Sequence, residues 1–159
     1  MSSGPRLILL RHAHAESPVI GEADHERSLS ARGIEEARAA GQWLATQGKM
    51  PQCVLVSSAR RTQETWEHAR WSGCPEAQTE PRIYEATPGR LLDILEAQGD
   101  TDVLMVGHNP GFEELVALLT SGLSGEHRGM PPGGVAVLSR PAGDGWEPAG
   151  ATLLEFWSP

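Results

Sequence analysis

The chain predicts an α/β fold, a three-layer sandwich with a mainly parallel central sheet and helices on both faces. Three observations carry that expectation. Short continuous apolar runs, among them Leu7-Ile8-Leu9-Leu10, Cys53-Val54-Leu55-Val56 and Val103-Leu104-Met105-Val106, read as strands buried on both faces. Between them lie segments of about ten to fifteen residues with apolar positions at helical spacing, which is the rhythm of βαβ units. Each of these runs is followed at once by hydroxyl, imidazole or guanidinium groups, and in open parallel sheets chemistry sits just beyond the carboxyl ends of the strands.

Taken in order, Leu7 to Leu10 is the first strand and ends in Arg11-His12. Ala13 to Glu26 is polar, is broken by Pro18 and Gly21, and reads as a loop. Ser30 is placed to cap a helix whose apolar stripe is Ile34, Ala37, Gly41, Leu44 and Ala45, with Gly48 as its stop. The second strand, Cys53 to Val56, ends in Ser57-Ser58-Ala59-Arg60-Arg61, and Ser58 is placed to cap a helix reaching about Trp71. Adjacent helical residues point about 100° apart, so Arg60 and Arg61 should not share a role. Arg82 to Ala86 reads as a short extended segment, and Thr87-Pro88 as the start of a helix carrying Leu91, Leu92 and Leu95. After the third strand, Asn109 and Pro110 should open a helix bearing Phe112, Leu115, Val116 and Leu119. Val135 to Leu138 is a fourth strand, Asp144-Gly145 a hairpin turn, and Thr152 to Phe156 a fifth strand returning beside it.

Length and composition narrow the function classes. With 159 residues the chain should form one domain, 1–159, with a proper core. A formal net charge of −8 and the lack of any basic run speak against nucleic acid and anionic membrane surfaces as partners. Cys53 and Cys74 have no metal-ligand spacing and suggest no disulfide framework. Met1 to Pro5 is too short and polar for a signal peptide, and no apolar run approaches transmembrane length. The expected setting is the cytoplasm.

If the sheet forms, three strand ends bring together Arg11 and His12, Ser57 to Arg61, and Gly107-His108-Asn109. Two histidines with at least two arginines suit a phosphoryl group, which is held best by charge-assisted bidentate bonds and by helix N-termini. Metal binding by His12, His14 and His108 is the weaker alternative, because two arginines beside a cation are unfavourable. A serine hydrolase is weaker still, since no G-x-S-x-G turn is present.

These residues also carry a family resemblance. Leu10-Arg11-His12-Ala13 resembles the Arg-His-Gly signature of the histidine phosphatase superfamily, the phosphoglycerate-mutase-like enzymes. Asp24, Arg27, Leu29, Ser30 and Gly33 fall on the D-x-x-R-P-L-S-x-x-G stretch of its small bacterial branch. Ser57-Ser58-Ala59 with Arg61 and Thr65 is similar to its S-S-x-x-R-x-x-Q-T segment, Val106 to Gly111 to its G-H-N-P motif, and Met130-Pro131 to Val137 to its M-P-T-G-A-x-A-V segment. Arg-His alone is a weak signal, whereas five segments in the right order are a strong one. They resemble most the short SixA-type phosphohistidine phosphatases.

The resemblance implies a phosphoglycerate-mutase-like fold and a cofactor-independent phosphatase with no metal. His12 would be the nucleophile that carries a transient phosphoryl group. Arg11, Arg61 and His108 would bind the phosphate oxygens, Asn109 and Ser57 would support the pocket, and Glu85 is the candidate general acid. Ala13 stands where the signature has Gly, Ser28 where it has Pro, and Glu64 where it has Gln. His14, His25, His68 and His127 match no catalytic motif and read as surface or loop histidines, with His14 the one to watch for its closeness to His12. Only about forty residues separate Thr65 from His108, too few for a strand, a helix and a lid as well. An open pocket favours a phosphorylated protein, and imidazole, whose conjugate acid has a pKa of about 6.5, leaves with little acid help. The expected substrate is therefore phosphohistidine in a protein, handled by a monomer. A small phosphate ester is the alternative, and an inactive phosphoprotein-binding module the alternative of another class.

Overall fold

The first apolar run becomes an inner strand of the sheet. In the computed structural model, which describes residues 4–159, β1 (Arg6–Arg11) has β4 (Val103–Gly107) on one side and β5 (Val135–Ser139) on the other. β2 (Cys53–Val56) and the short β3 (Ala77–Thr79) extend the sheet beyond β4, and β6 (Thr152–Trp157) closes the opposite edge, giving the order β3-β2-β4-β1-β5-β6. β3, β2, β4 and β1 are parallel, while β5 runs antiparallel to both its neighbours. The first three residues of the N-terminal stretch read for a leader lie outside the described residues.

Strand alternation sorts the core into two layers. Leu7, Leu9, Leu55, Val103, Met105, Ala136 and Leu138 face one side and pack on α3 (Pro88–Glu96) and α4 (Gly111–Ser121). Ile8, Leu10, Val54, Val56, Leu104, Val106, Val135 and Val137 face the other and pack on α1 (Ala31–Thr46) and α2 (Arg60–Ala69). With both faces covered, the strands need apolar residues at every position, which is why they read as unbroken runs. The three-layer α/β expectation therefore holds. No helix among the described residues is long and apolar enough to cross a membrane.

Several local expectations hold. Ser30 caps α1 by accepting from the Gly33 N–H, Gly48 follows α1 with a φ of 68°, and Thr87 caps α3 by accepting from the Arg90 N–H. Others are corrected. The extended segment expected at 82–86 is a 3-10 turn, Pro81–Ile83, because proline opens the turn and Ile83 drops into the core. The strand lies earlier, as β3, whose residues give no apolar run because it is a short edge with a partner on one side only. Ser58 does not cap α2; its hydroxyl bonds His25 Nε2 at 2.9 Å. α4 begins at Gly111, one residue later than expected, and Asn109 still caps its first turn from just before Pro110, its Oδ1 accepting from the Glu113 N–H at 3.3 Å. The β5–β6 connection is a longer excursion with a turn at Ala142-Gly143, not a tight hairpin at Asp144-Gly145.

The topology makes one crevice. After β1 the chain goes to α1 on one face; after the adjacent β4 it goes to α4 on the other. Connections that diverge from neighbouring carboxyl ends leave a gap between them, the usual place for a site in such sheets. Because β5 is antiparallel, the segment that precedes it, including Met130, arrives at this same end.

Candidate active site

Arg11 and Gly107 are register partners on β1 and β4, so the next residues, His12 and His108, face each other across the crevice. Their ring centroids lie 5.4 Å apart. A bond from the His12 N–H to the Gly107 carbonyl, 2.9 Å, continues the ladder and holds the first of them in place. Gly107 is required here, since a Cβ would run into the Phe112 ring.

His12 has a defined tautomer. Its Nδ1 lies 2.8 Å from the Ala13 carbonyl oxygen, which can only accept, so Nδ1 carries the proton and Nε2 keeps its lone pair. Burial, with Arg61, Arg11 and Arg27 adding to it and the Ala13 bond opposing, lowers the pKa to about 4. The ring is therefore neutral at pH 7. The backbone behind it is tied to α2: the Ala13 N–H donates to Thr65 Oγ1 at 3.0 Å, and that hydroxyl donates to the Arg61 carbonyl at 2.7 Å.

His108 is 8% exposed, and burial followed by the nearby His12 and Arg61 lowers its pKa to about 3. Its Nε2 bonds Ser57 Oγ at 2.8 Å. Of the four side-chain nitrogens buried without a hydrogen-bond partner among the described residues, Arg140 Nε lies beyond the far end of β5, and the other three, His108 Nδ1, Arg11 Nε and Arg61 Nε, are here. Three buried nitrogens of this kind, from the ends of β1 and β4 and the first turn of α2, suit a site built to receive an anion with several oxygens. Arg61, 7% exposed, sits in the first turn of α2, while Arg60 points outward to Glu64 at 3.3 Å.

Comparisons with known proteins bear on the family and the fold. The model of the histidine phosphatase superfamily, branch 1, matches residues 7–98. An uncharacterised protein of Mycobacterium tuberculosis is 37% identical over 94% of this chain and 99% of its own length. A candidate SixA phosphohistidine phosphatase from Nakamurella multipartitia superposes with a TM-score of 0.83 at 29% identity, covering 99% of this chain and 98% of that one. A protein histidine phosphatase SixA complexed with tungstate does so with a TM-score of 0.81 at 25% identity, covering 97% of each chain. The chain belongs to the histidine phosphatase superfamily. The family match ends before His108, and the structural likeness extends across the second histidine and the C-terminal strands.

In this histidine phosphatase the residues singled out from sequence fall into two groups. His12, Arg11, Arg61, His108 and Ser57 gather at the crevice. Asn109 stands beside it, but its amide donates to the Met130 carbonyl at 2.9 Å and to Glu113 Oε2 at 3.1 Å. Arg11 donates to the same Met130 carbonyl at 2.8 Å, so Asn109 and Met130 form a bracket for Arg11. Glu85 is exposed, has a φ of 57°, and lines a cavity of about 280 Å³ together with Arg61, His108 and Asn109. Larger surface hollows, near Arg6 and Lys49 and near Trp71 and Cys74, lie away from the histidines.

His14 takes no part in this cluster; its Nδ1 bonds Ser30 Oγ at 2.7 Å and helps hold the start of α1. Among the described residues no group of three His, Cys, Asp or Glu side chains is placed to hold a metal ion. His25 is a partly exposed loop histidine, as expected, and its ring also meets Tyr84 edge-on at 4.9 Å, with Tyr84 in turn meeting His108 at 5.5 Å. Sequence reasoning assigned no role to Asp24 or Tyr84. Asp24 carried a signal, its place in a family motif, whereas Tyr84 lay in the segment misread as extended.

Proposed function

We propose that this histidine phosphatase works through a phosphohistidine intermediate on His12 and takes phosphohistidine in a protein as its substrate. The observation that carries the first part is the Nδ1–H bond to the Ala13 carbonyl, which leaves a neutral Nε2 lone pair opposite His108 and near Arg61. In the first step Nε2 attacks phosphorus, the phosphorus–nitrogen bond of the substrate breaks, and its electron pair leaves with the substrate imidazole, which departs neutral because its other ring nitrogen has taken a proton from solvent. A water then attacks phosphorus in the His12 adduct, the bond to Nε2 breaks with its electron pair returning to Nε2, and the water's proton goes to the released phosphate or to solvent, leaving His12 neutral. Arg11 and Arg61 stabilise the charge spread over the equatorial oxygens. Ser57 donates its hydroxyl proton to His108 Nε2, so that His108 Nδ1–H serves as a further donor. No cofactor enters this scheme.

The pocket mouth supports this substrate. The chain between α2 and β4 is taken up by β3, the 3-10 turn and α3, and Asp24 and Glu85 stand exposed at the opening. Such a mouth admits a side chain presented by another protein. The SixA enzyme holding tungstate, a tetrahedral oxyanion, supports both the oxyanion site and the substrate class. A second reading, a phosphomonoesterase for small metabolites, is favoured by Glu85, which lines the cavity and could protonate an alkoxide. The test of the intermediate is a rapid quench in alkali followed by mapping of the phosphoryl label. Label on His12 is expected; phosphate binding with no label on His12 would leave a binding module instead.

A further inference from the structure

Four side-chain hydrogen bonds converge on Asp24, a residue with no place in the scheme above. Its Oδ2 accepts from Arg61 Nη2 at 3.1 Å and from the Tyr84 hydroxyl at 2.6 Å. Its Oδ1 accepts from Arg27 Nη1 at 3.1 Å, and its backbone carbonyl accepts from Arg61 Nη1 at 2.9 Å. One residue thus holds both terminal nitrogens of the Arg61 guanidinium. The Asp24 side chain is 49% exposed, and an ion pair at that exposure contributes little to stability. Its convergence on a buried arginine therefore calls for another explanation.

We propose that Asp24 is a positioning residue: it grips Arg61 by its two terminal nitrogens and turns the other N–H donors toward the transferring phosphoryl group. Arginine carries five N–H donors in a rigid fork. Two go to Asp24, which leaves one on each terminal nitrogen and the buried, unpartnered Nε–H. Fixing the plane of the fork beforehand spares the cost of ordering it when substrate binds. The carboxylate is itself fixed by Arg27 and Tyr84. The turn that carries it is tied to the start of α2 a second time, through His25 Nε2 and the Ser58 hydroxyl. The Tyr84 ring lies 5.9 Å from the Arg61 guanidinium carbon and covers one side of it. The Tyr84 hydroxyl, helped by Arg27 and Arg61, lowers the Asp24 pKa to about 2, so the grip stays charged throughout the neutral range.

The inference rests on Arg61 as a phosphate ligand, and its sign is testable. By charge alone, a carboxylate beside an anion site repels the anion, so removing it should tighten phosphate binding. Positioning requires the opposite. We would measure inorganic phosphate binding by calorimetry, and kcat and KM for phosphate release, in Asp24→Asn, Arg61→Ala and the double variant. Asp24→Asn is expected to weaken phosphate binding and lower kcat by about ten- to a hundredfold, the scale of a slightly misplaced catalytic group. In the Arg61→Ala background the same substitution should add nothing. Tyr84→Phe, which removes one anchor of the carboxylate, should give a smaller loss in the same direction. Phosphate binding as tight as or tighter than wild type in Asp24→Asn, or an undiminished loss in the double variant, overturns the inference. Unchanged binding and turnover in Arg61→Ala alone would instead overturn the ligand reading beneath it.

Discussion

A histidine acts as a nucleophile only if it is neutral and its lone pair points at the substrate. His12 meets the first condition through burial and neighbouring arginines, and its tautomer through a single carbonyl. An NMR titration of the free protein should accordingly find His12 changing protonation near pH 4; a midpoint near 6.5 would mean the site does not desolvate it. His12→Ala should abolish turnover while unfolding stays cooperative, because the ring belongs to the crevice and not to either apolar layer. The two neighbouring arginines make a sharper pair. Arg61→Ala should cost about 3 kcal/mol of transition-state stabilisation, or about a hundredfold in kcat, as loss of a positioned donor typically does. Arg60, paired with Glu64 on the surface and 51% exposed, should be nearly neutral when replaced by Ala. Steady-state kinetics of both variants decides this, and equal damage would place the phosphate ligand wrongly. At this scale the sequence was most legible. Arg11, His12, Arg61 and His108 follow strand ends or a strand-to-helix turn, positions that hydrophobic patterning finds. Tyr84 was not legible, because its place depends on a 3-10 turn set by proline and by burial of Ile83.

Elements deliver those residues only if they pack closely enough. The start of α1 lies against the backbone of His14, where a Cβ on Gly33 would overlap the carbonyl oxygen. Gly33→Ala should therefore push α1 away from the segment that follows His12, destabilising the protein by about 1–3 kcal/mol. Thermal unfolding should show a lower Tm and kinetics a lower kcat, and a wild-type Tm would show that the helix is free to shift. The inner strands were legible because their two buried faces impose unbroken apolar runs. β3 was not, since a short edge strand of Ala-Gln-Thr needs no such run. Helix starts were legible where a side chain does the capping, as at Ser30 and Thr87, and misread at Ser58, whose hydroxyl is drawn to His25 by a contact distant in sequence.

For the whole molecule, the two neutral histidines couple the site to acid stability. Both have native pKa values below the ordinary 6.5, at about 4 and about 3, so the unfolded chain binds more protons between those values and 6.5. Stability should be fully present above pH 6.5 and should fall as pH drops through that window. Asp24, with its pKa lowered to about 2, adds a further loss below about 3.8. Urea unfolding at a series of pH values checks this, and His12→Gln should reduce the slope between pH 6.5 and 4; a slope unchanged by that substitution would contradict the assignment. The order of strands was not legible from local patterning, because the insertion of β4 between β1 and β2 is a long-range choice. Yet that choice sets His12 opposite His108. What enters the crevice depends on shape at the mouth, and composition does not encode that.

The most direct measurement compares phosphate release from a phosphohistidine-bearing protein domain and from a small phosphate monoester, side by side, with His12→Ala as control. Fast release from the protein domain, slow release from the ester and none from the variant is the expected result. Preference for the ester would contradict the proposed substrate and make Glu85 the next residue to replace, and release that survives in His12→Ala would contradict the proposed mechanism.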